Sequence, residues 1–239
     1  MDRKFIIKSI AIFLFAIIGS YVIYHLPMKA DVEIKRINLN KYKKVMFVAH
    51  PDDDMIWGGA HLIQDDYLVV CITCGTSKTR LEEFRKVMHA TGDSYIALGY
   101  PDKTYGKRNE WTTFYDNIKK DVEVILNSNN WELIVTHNEI GEYGHIQHIK
   151  TNMIVTEVYN ENNYNSDLYY FGDYYTKNNI KLVESDLREI SPQLLKRKEE
   201  ISSSYQGTII TIEVPYKKDM GRTKNVLVDW VDLTNILEE

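Results

Sequence analysis

Between Val45 and Tyr170 the 239-residue chain alternates short apolar, β-branched runs with longer stretches of helical periodicity, and this alternation restricts the possible folds more than any other feature. Val45–Ala49, Tyr67–Thr73, Ser94–Leu98, Leu133–Thr136 and Leu168–Tyr170 read as strands. The spacing predicts helices over Asp54–Gln64, Thr79–Thr91, Trp111–Leu126 and His145–Tyr159 between them. In the second of these, Leu81, Phe84, Val87 and Met88 recur at helical intervals, and Gly92 supplies a stop. Strands separated by helix-length connections pair in parallel, because a hairpin cannot hold a helix. The expectation is an α/β, Rossmann-like fold with a mostly parallel sheet flanked by helices. Ser191-Pro192 has the form of an N-cap followed by proline in the first turn, opening a further helix to about Ser204, and Thr208–Val214 is a last β-branched run.

Ahead of this domain lies a segment of different character. No charge occurs from Ile10 to Tyr24, and Phe5–Leu26 as a helix is long enough to cross a bilayer core, with Lys8 snorkelling. Residues 1–30 are therefore expected to be a membrane anchor with its transmembrane helix over about 5–26, residues 31–43 a linker and entry, and 44–239 the domain. A cleaved signal peptide competes, since Arg3, Lys4 and Lys8 resemble a charged leader, but Pro27-Met28-Lys29-Ala30 lacks a small-x-small cleavage site. Basic residues flank the segment on both sides, and the domain is expected outside, on the extracytoplasmic face. With 29 Lys and Arg against 34 Asp and Glu, the chain lacks the basic footprint of a nucleic-acid binder. Cys71 and Cys74 fall in an apolar run and read as core fillers on opposite strand faces. The oligomeric state is not encoded in any of these patterns.

Chemistry-bearing residues collect just past strand ends, where open α/β sheets bind ligands. Ala49-His50-Pro51-Asp52-Asp53-Asp54 follows the first strand and combines an imidazole with hard oxygen donors. Gly141-Glu142-Tyr143-Gly144-His145-Ile146-Gln147-His148 follows the fourth, and His145 and His148 at i and i+3 share a helix face. Alone, an acidic run is most simply a solvated helix start, and a His-x-x-His pair is often a surface coincidence. Their convergence argues for a metal, with His137 at the end of its strand a neighbour. His61 and His89 lie within helices and read as surface or core-edge residues. Trp57, Trp111 and the aromatic stretch Tyr164–Tyr175 are most simply core, with a sugar-stacking rim as the functional reading.

These motifs resemble the PIG-L/LmbE family of zinc-dependent N-acetylglucosaminyl deacetylases. Ala49–Asp53 matches its Ala-His-Pro-Asp-Asp-Glu motif with Asp54 in the last place, followed by Gly58-Gly59. Gly141–His148 matches its second motif, Arg80 and Glu83 its Arg-x-x-Glu pair, and Leu98–Asp102 its Leu-Gly-x-Pro-Asp-like turn. Lys198–Gln206 is similar to its C-terminal lysine helix. The resemblance implies that His50, Asp53 and His148 hold Zn2+, or another divalent transition metal, leaving one position open. It further implies Asp52 as general base, a protonated His145 as general acid or oxyanion stabiliser, and Arg80 and Asp102 as ligands of sugar hydroxyls. The expected substrate is an N-acetylglucosamine-containing glycan or glycolipid, and the products are acetate and a free amino sugar. Two departures stand out: Asp54 for Glu, and Ile146-Gln147 for the common Pro-Asp, which removes a carboxylate able to orient a histidine. A glycan-binding protein on the same fold is the competing reading. A nucleotide-binding domain is disfavoured, since no Gly-x-Gly-x-x-Gly turn follows the first strand.

Overall fold

The computed structural model describes residues 8–17, 19, 30–175, 179, 182–183, 190–205 and 226–227. Five strands, β1 (Lys44–Val48), β2 (Tyr67–Cys71), β3 (Ser94–Ala97), β4 (Leu133–Thr136) and β5 (Asp167–Phe171), with a two-residue β6 (Val226–Leu227), form one sheet. Its order is β3-β2-β1-β4-β5-β6 and every pairing is parallel. The chain winds outward from β1 to β3, then returns to start again on the other side of β1. This is the doubly wound arrangement, and its topological switch point lies between β1 and β4.

Alternation along the strands divides the core between the two faces of the sheet. Val45, Phe47, Leu68, Val70 and Ile134 pack with Ile118, Val122 and Ile125 of α3 (Tyr115–Asn127) and Ile154, Val155 and Val158 of α4 (Ile146–Asn162). Met46, Val48, Val69, Cys71 and Val135 face the other way, toward α1 (Asp53–Gln64), α2 (Lys78–Thr91) and α5 (Pro192–Ser202). Gly58 lets α1 ride close to the sheet, since a Cβ there would stand 2.5 Å from the Met46 methyl. Gly92 closes α2 in the left-handed conformation, and Ser191 Oγ accepts the Leu194 N–H to cap α5.

Three details differ from the expectation. The helix expected from Trp111 begins at Tyr115, because Trp111 sits in a turn at φ 55 with its N–H held by Asn109 and its indole N–H by the Pro101 carbonyl. The strand expected to reach Thr73 ends at Cys71, and Cys74 lies in a 3-10 turn, so the two cysteines share one core cluster rather than opposite faces; both are free thiols. Residues 30–42 lie against the domain: Ala30, Ile34 and Tyr42 are buried, and the Ala30 N–H donates to Asp121 at 3.0 Å.

Residues 8–17 are helical and exposed. Half of the span expected over 5–26, and the Thr208–Val214 run, lie outside the described residues. No helix among the described residues is long and apolar enough to cross a membrane.

One half-buried acid makes a pH dependence of stability readable. Asp93 accepts the Tyr67 N–H at 2.7 Å, while burial raises its pKa from 3.8 to about 6. Folded protein thus holds this proton where unfolded chain has lost it, so the contribution falls as pH rises from about 4 to about 6. Asp93→Asn should remove that slope: in thermal melts, the variant should gain on wild type across the window and then level off, by on the order of 1–2 kcal/mol. A difference independent of pH would contradict the assignment.

Candidate metal centre

At the switch point the loops leaving β1 and β4 face each other. The Ala49 N–H donates to His137 Nε2 at 3.0 Å, tying the two strand ends together. The turn after β1 bends sharply: Asp52 adopts φ 109, the His50 N–H donates to Asp53 Oδ2 at 2.7 Å, and the Asp52 carbonyl accepts the first helical N–H bonds of α1. After β4, Glu142 also takes a positive φ of 56, which swings its carboxylate beneath the imidazoles of His137 and His148. One oxygen, Oε2, contacts His148 Nδ1 at 2.6 Å and His137 Nδ1 at 3.0 Å, and the other accepts the Asn138 N–H.

These hydrogen bonds assign the ring tautomers. His148 carries its proton on Nδ1, toward Glu142, and turns the Nε2 lone pair inward. His50 Nε2 donates to Gln147 Oε1 at 2.6 Å, leaving its Nδ1 lone pair inward. His50 Nδ1 and His148 Nε2 are 3.2 Å apart, His50 Nδ1 is 3.2 Å from Asp53 Oδ2, and His148 Nε2 is 3.3 Å from Asp53 Oδ1. Two nitrogen lone pairs and a carboxylate thus point at one another with no donor among them, an arrangement that calls for a cation. The spacing matches the edge of roughly 3.3 Å expected of a tetrahedron with metal–ligand bonds of about 2.0–2.1 Å. Burial works against a charged His50, yet Asp53 and Asp102 outweigh it and raise its pKa to about 9. Without a cation the ring therefore takes up a second proton on Nδ1, and the inward lone pair belongs to the form in which a metal supplies that positive charge.

Five side chains fall into two overlapping groups able to hold an ion, His50 with His145 and His148, and Asp53 with His137 and His148. The tautomers sort them. His137 Nε2 is occupied by the Ala49 N–H, and His145 Nδ1 accepts the Gln147 N–H at 3.2 Å as the N-cap of α4. His50, Asp53 and His148 keep acceptors free toward the centre. His145 stands beside them, its ring centroid 4.7 Å from that of His50 and 4.4 Å from that of His148. Burial, and then the neighbouring His148 and His50, push its pKa down to about 2. With Nδ1 accepting the cap bond, the His145 ring offers an Nε2–H, and burial and the neighbouring imidazoles act against the protonated form expected of it.

Asp52 is half-buried, and its pKa is raised by burial and by Asp53 while Arg80 and His50 act against the rise. Arg80 is tied into the site: Nη2 contacts Asp52 Oδ2 at 2.7 Å and the Pro51 carbonyl, Nη1 contacts Glu83 at 2.8 Å, and the guanidinium lies over the Tyr205 ring. Asp102 lies at the rim, beside Arg108 and 3.5 Å from His50 Nε2; burial opposes its ionisation, but His50 and Arg108 bring its pKa down to about 2. Asp54 is fully buried, accepting the Asp52 N–H at 3.0 Å and bonding the Tyr205 hydroxyl, and burial lifts its pKa to about 7. From α5, which ends just before Tyr205, buried Lys198 donates to the Ile56 carbonyl at 3.1 Å.

Glu142 was missed in the sequence, although its place three residues before His145 and five after His137 put a carboxylate within reach of both. Trp57 is core, stacked beside Tyr143, which in turn meets His148 edge-on at 5.5 Å. Trp111 is core as well, while His61 and His89 stand apart from the centre, His89 fully on the surface.

Residues 45–159 match the protein family described as PIG-L, GlcNAc-PI de-N-acetylase. An uncharacterised protein of Acanthamoeba polyphaga mimivirus is 29% identical over 177 residues, 66% of this chain and 74% of that one. Among solved structures, the pseudoaglycone deacetylase Dbv21 superposes with a TM-score of 0.52 at 14% identity, covering 69% of this chain and 81% of its own. The zinc-inhibited form of the teicoplanin deacetylase Orf2 superposes with a TM-score of 0.51 at 14% identity, covering 67% and 83%. At such identities the two structures speak for the fold alone.

Proposed function

We propose that this chain, whose residues 45–159 match the family described as PIG-L, GlcNAc-PI de-N-acetylase, is a zinc-dependent hydrolase removing the acetyl group from an N-acetylglucosamine-type sugar or glycoconjugate. The observation that carries the reading is the inward-facing set of His50 Nδ1, Asp53 and His148 Nε2 at 3.2–3.3 Å spacing, with the Asp52 carboxylate next to it in the chain. His50, Asp53 and His148 would hold the metal. Zinc bound there supplies a Lewis acid that polarises the amide carbonyl and acidifies water. Asp52, steered by Arg80, takes the proton from the attacking water and returns it to the departing sugar amine. The Nε2–H of His145 donates to the amide oxygen as negative charge develops there. Arg80 holds the base in place and, with Asp102 at the rim, would bind sugar hydroxyls. The test is acetate release by the full-length chain across N-acetylglucosamine conjugates, chitooligomers and peptidoglycan fragments, run with zinc and after chelation. Release that survives complete chelation would remove the metal from the mechanism.

The same proposal includes a membrane anchor and a catalytic domain on the extracytoplasmic side. The support is local: Ile12, Phe13 and Phe15 in helical residues 8–17 are 71%, 67% and 79% exposed, apolar surface suited to lipid. Full-length protein should stay with membranes through a carbonate wash, and protease added to sealed cells stripped of their wall should reach the domain. Recovery of intact chain in the supernatant of the wash would exclude the anchor.

A further inference from the structure

Gln147 stands where the family pattern has aspartate, and its surroundings use both ends of the amide. Its NH2 group faces three main-chain carbonyls of one loop, those of Asn109 at 2.9 Å, Asp102 at 3.0 Å and Pro101 at 3.3 Å. Only a donor fits among three carbonyls, so the amide orientation is set and Oε1 is turned to His50 Nε2 at 2.6 Å. The side chain is fully buried. The loop it holds is a short antiparallel hairpin, Lys103-Thr104 paired with Lys107-Arg108, that carries Asp102 and Arg108 across the rim of the metal centre. At its base the Asn109 N–H donates to the Asp102 carbonyl at 2.8 Å and the Trp111 indole to the Pro101 carbonyl, and Gln147 is the tether from α4. An aspartate, shorter and without donors, could accept from His50 but could not hold the loop.

We propose that Gln147 is a positioning residue that couples the metal centre to the substrate-side loop 101–109: the amide that keeps His50 in its ligating tautomer is the same one that pins the loop. A cation on His50 Nδ1 draws charge from the ring and strengthens the Nε2–H bond to Oε1, which orders the amide and with it the loop. By linkage, a loop ordered by substrate strengthens the grip on the metal to the same degree. The metal half of this rests on the zinc-site reading; the loop half does not.

The experiment is hydrogen–deuterium exchange of the full-length chain, metal-free and with zinc, on wild type, Gln147→Glu and Gln147→Leu, with zinc affinity measured in parallel by chelator competition. Gln147→Glu keeps an acceptor for His50 but faces three carbonyls with none to donate to them as the carboxylate. Amides of 102–109 should exchange at least tenfold faster than wild type in the metal-free variant, zinc should no longer slow them, and zinc affinity should stay within a few-fold. Gln147→Leu loses both bonds and should in addition bind zinc about 10–100-fold more weakly, the usual effect of losing a partner behind a metal ligand. In wild type, zinc should slow the same amides. Loop exchange in metal-free Gln147→Glu equal to wild type would overturn the clamp, and equal zinc-induced slowing in wild type and Gln147→Glu would overturn the coupling. Failure of wild type to take up zinc sinks the hydrolase reading instead, and the metal-free comparison still decides whether Gln147 pins the loop.

Discussion

Asp52→Asn should reduce acetate release by about 10²–10⁴-fold, the span attached to a lost general base, while leaving about one zinc per chain. The amide keeps the shape of the carboxylate and can keep an oxygen toward the Arg80 guanidinium that now sits 2.7 Å from Asp52 Oδ2, so the turn should survive. What it cannot do is accept a proton at neutral pH. The environment suits the carboxylate to that task, since burial and the adjacent Asp53 raise its basicity while Arg80 limits the rise. Metal content and acetate production must be measured on the same preparation. Near-wild-type turnover with zinc in place would retire Asp52 as the base. Asp54 would not inherit the role easily, because it is fully buried and committed to the Tyr205 hydroxyl.

His148→Ala should lose most of the bound zinc, with affinity falling by more than the 10–100-fold that follows loss of a partner behind a ligand. His148 Nε2 is shared by both groups of ligand-capable side chains, and its removal also leaves the buried Glu142 carboxylate without its shorter contact, at 2.6 Å. His61→Ala is the control on α1, outside the centre. Metal analysis by mass spectrometry should show the variant near empty and the control near full. Equal occupancy in the two would take His148 out of the ligand set. His137→Ala is expected to fall between them, because it removes the Ala49 bond that joins the strand ends but no inward-facing lone pair.

Much of the scaffold was legible because parallel sheets are buried on both faces and announce themselves as apolar runs such as Leu68–Val70 and Ile134-Val135. The cap at Ser191-Pro192 and the stop at Gly92 were equally local, each set by one residue's backbone preference. Helix starts were harder: Trp111 has the right spacing for α3 but sits in a turn fixed by bonds to Asn109 and Pro101, partners whose proximity depends on tertiary folding. At the site, His50, Asp53 and His148 were recognisable by type and place, whereas the direction of the His145 shift was not. That shift depends on two other imidazoles arriving within about 5 Å, a distance the fold alone determines. The departures from the family pattern likewise looked like losses. Asp54 has a full set of partners in the structure, and the carboxylate missing at Gln147 has its counterpart in Glu142, five residues upstream, brought under His148 by a positive φ.

The sheet order carries a consequence for how such a protein can be altered. His50 and His148 are separated by 97 intervening residues of chain, yet the doubly wound order sets β1 and β4 side by side, so the proposed ligand set is closed across the break in winding. Everything between them is an excursion out to the sheet edge and back, and the return leg from β3 to β4, which includes loop 101–109, must pass over the mouth of the centre. Within that leg Leu98, Tyr100, Trp111 and the inner face of α3 are core, but 102–110 lies at the surface and can be exchanged without cutting the sheet, provided a partner for Gln147 is kept. Grafting this surface segment from relatives with other substrates is thus a way to test its part in selectivity, and the graft boundaries are Pro101 and Trp111, the second of which is core.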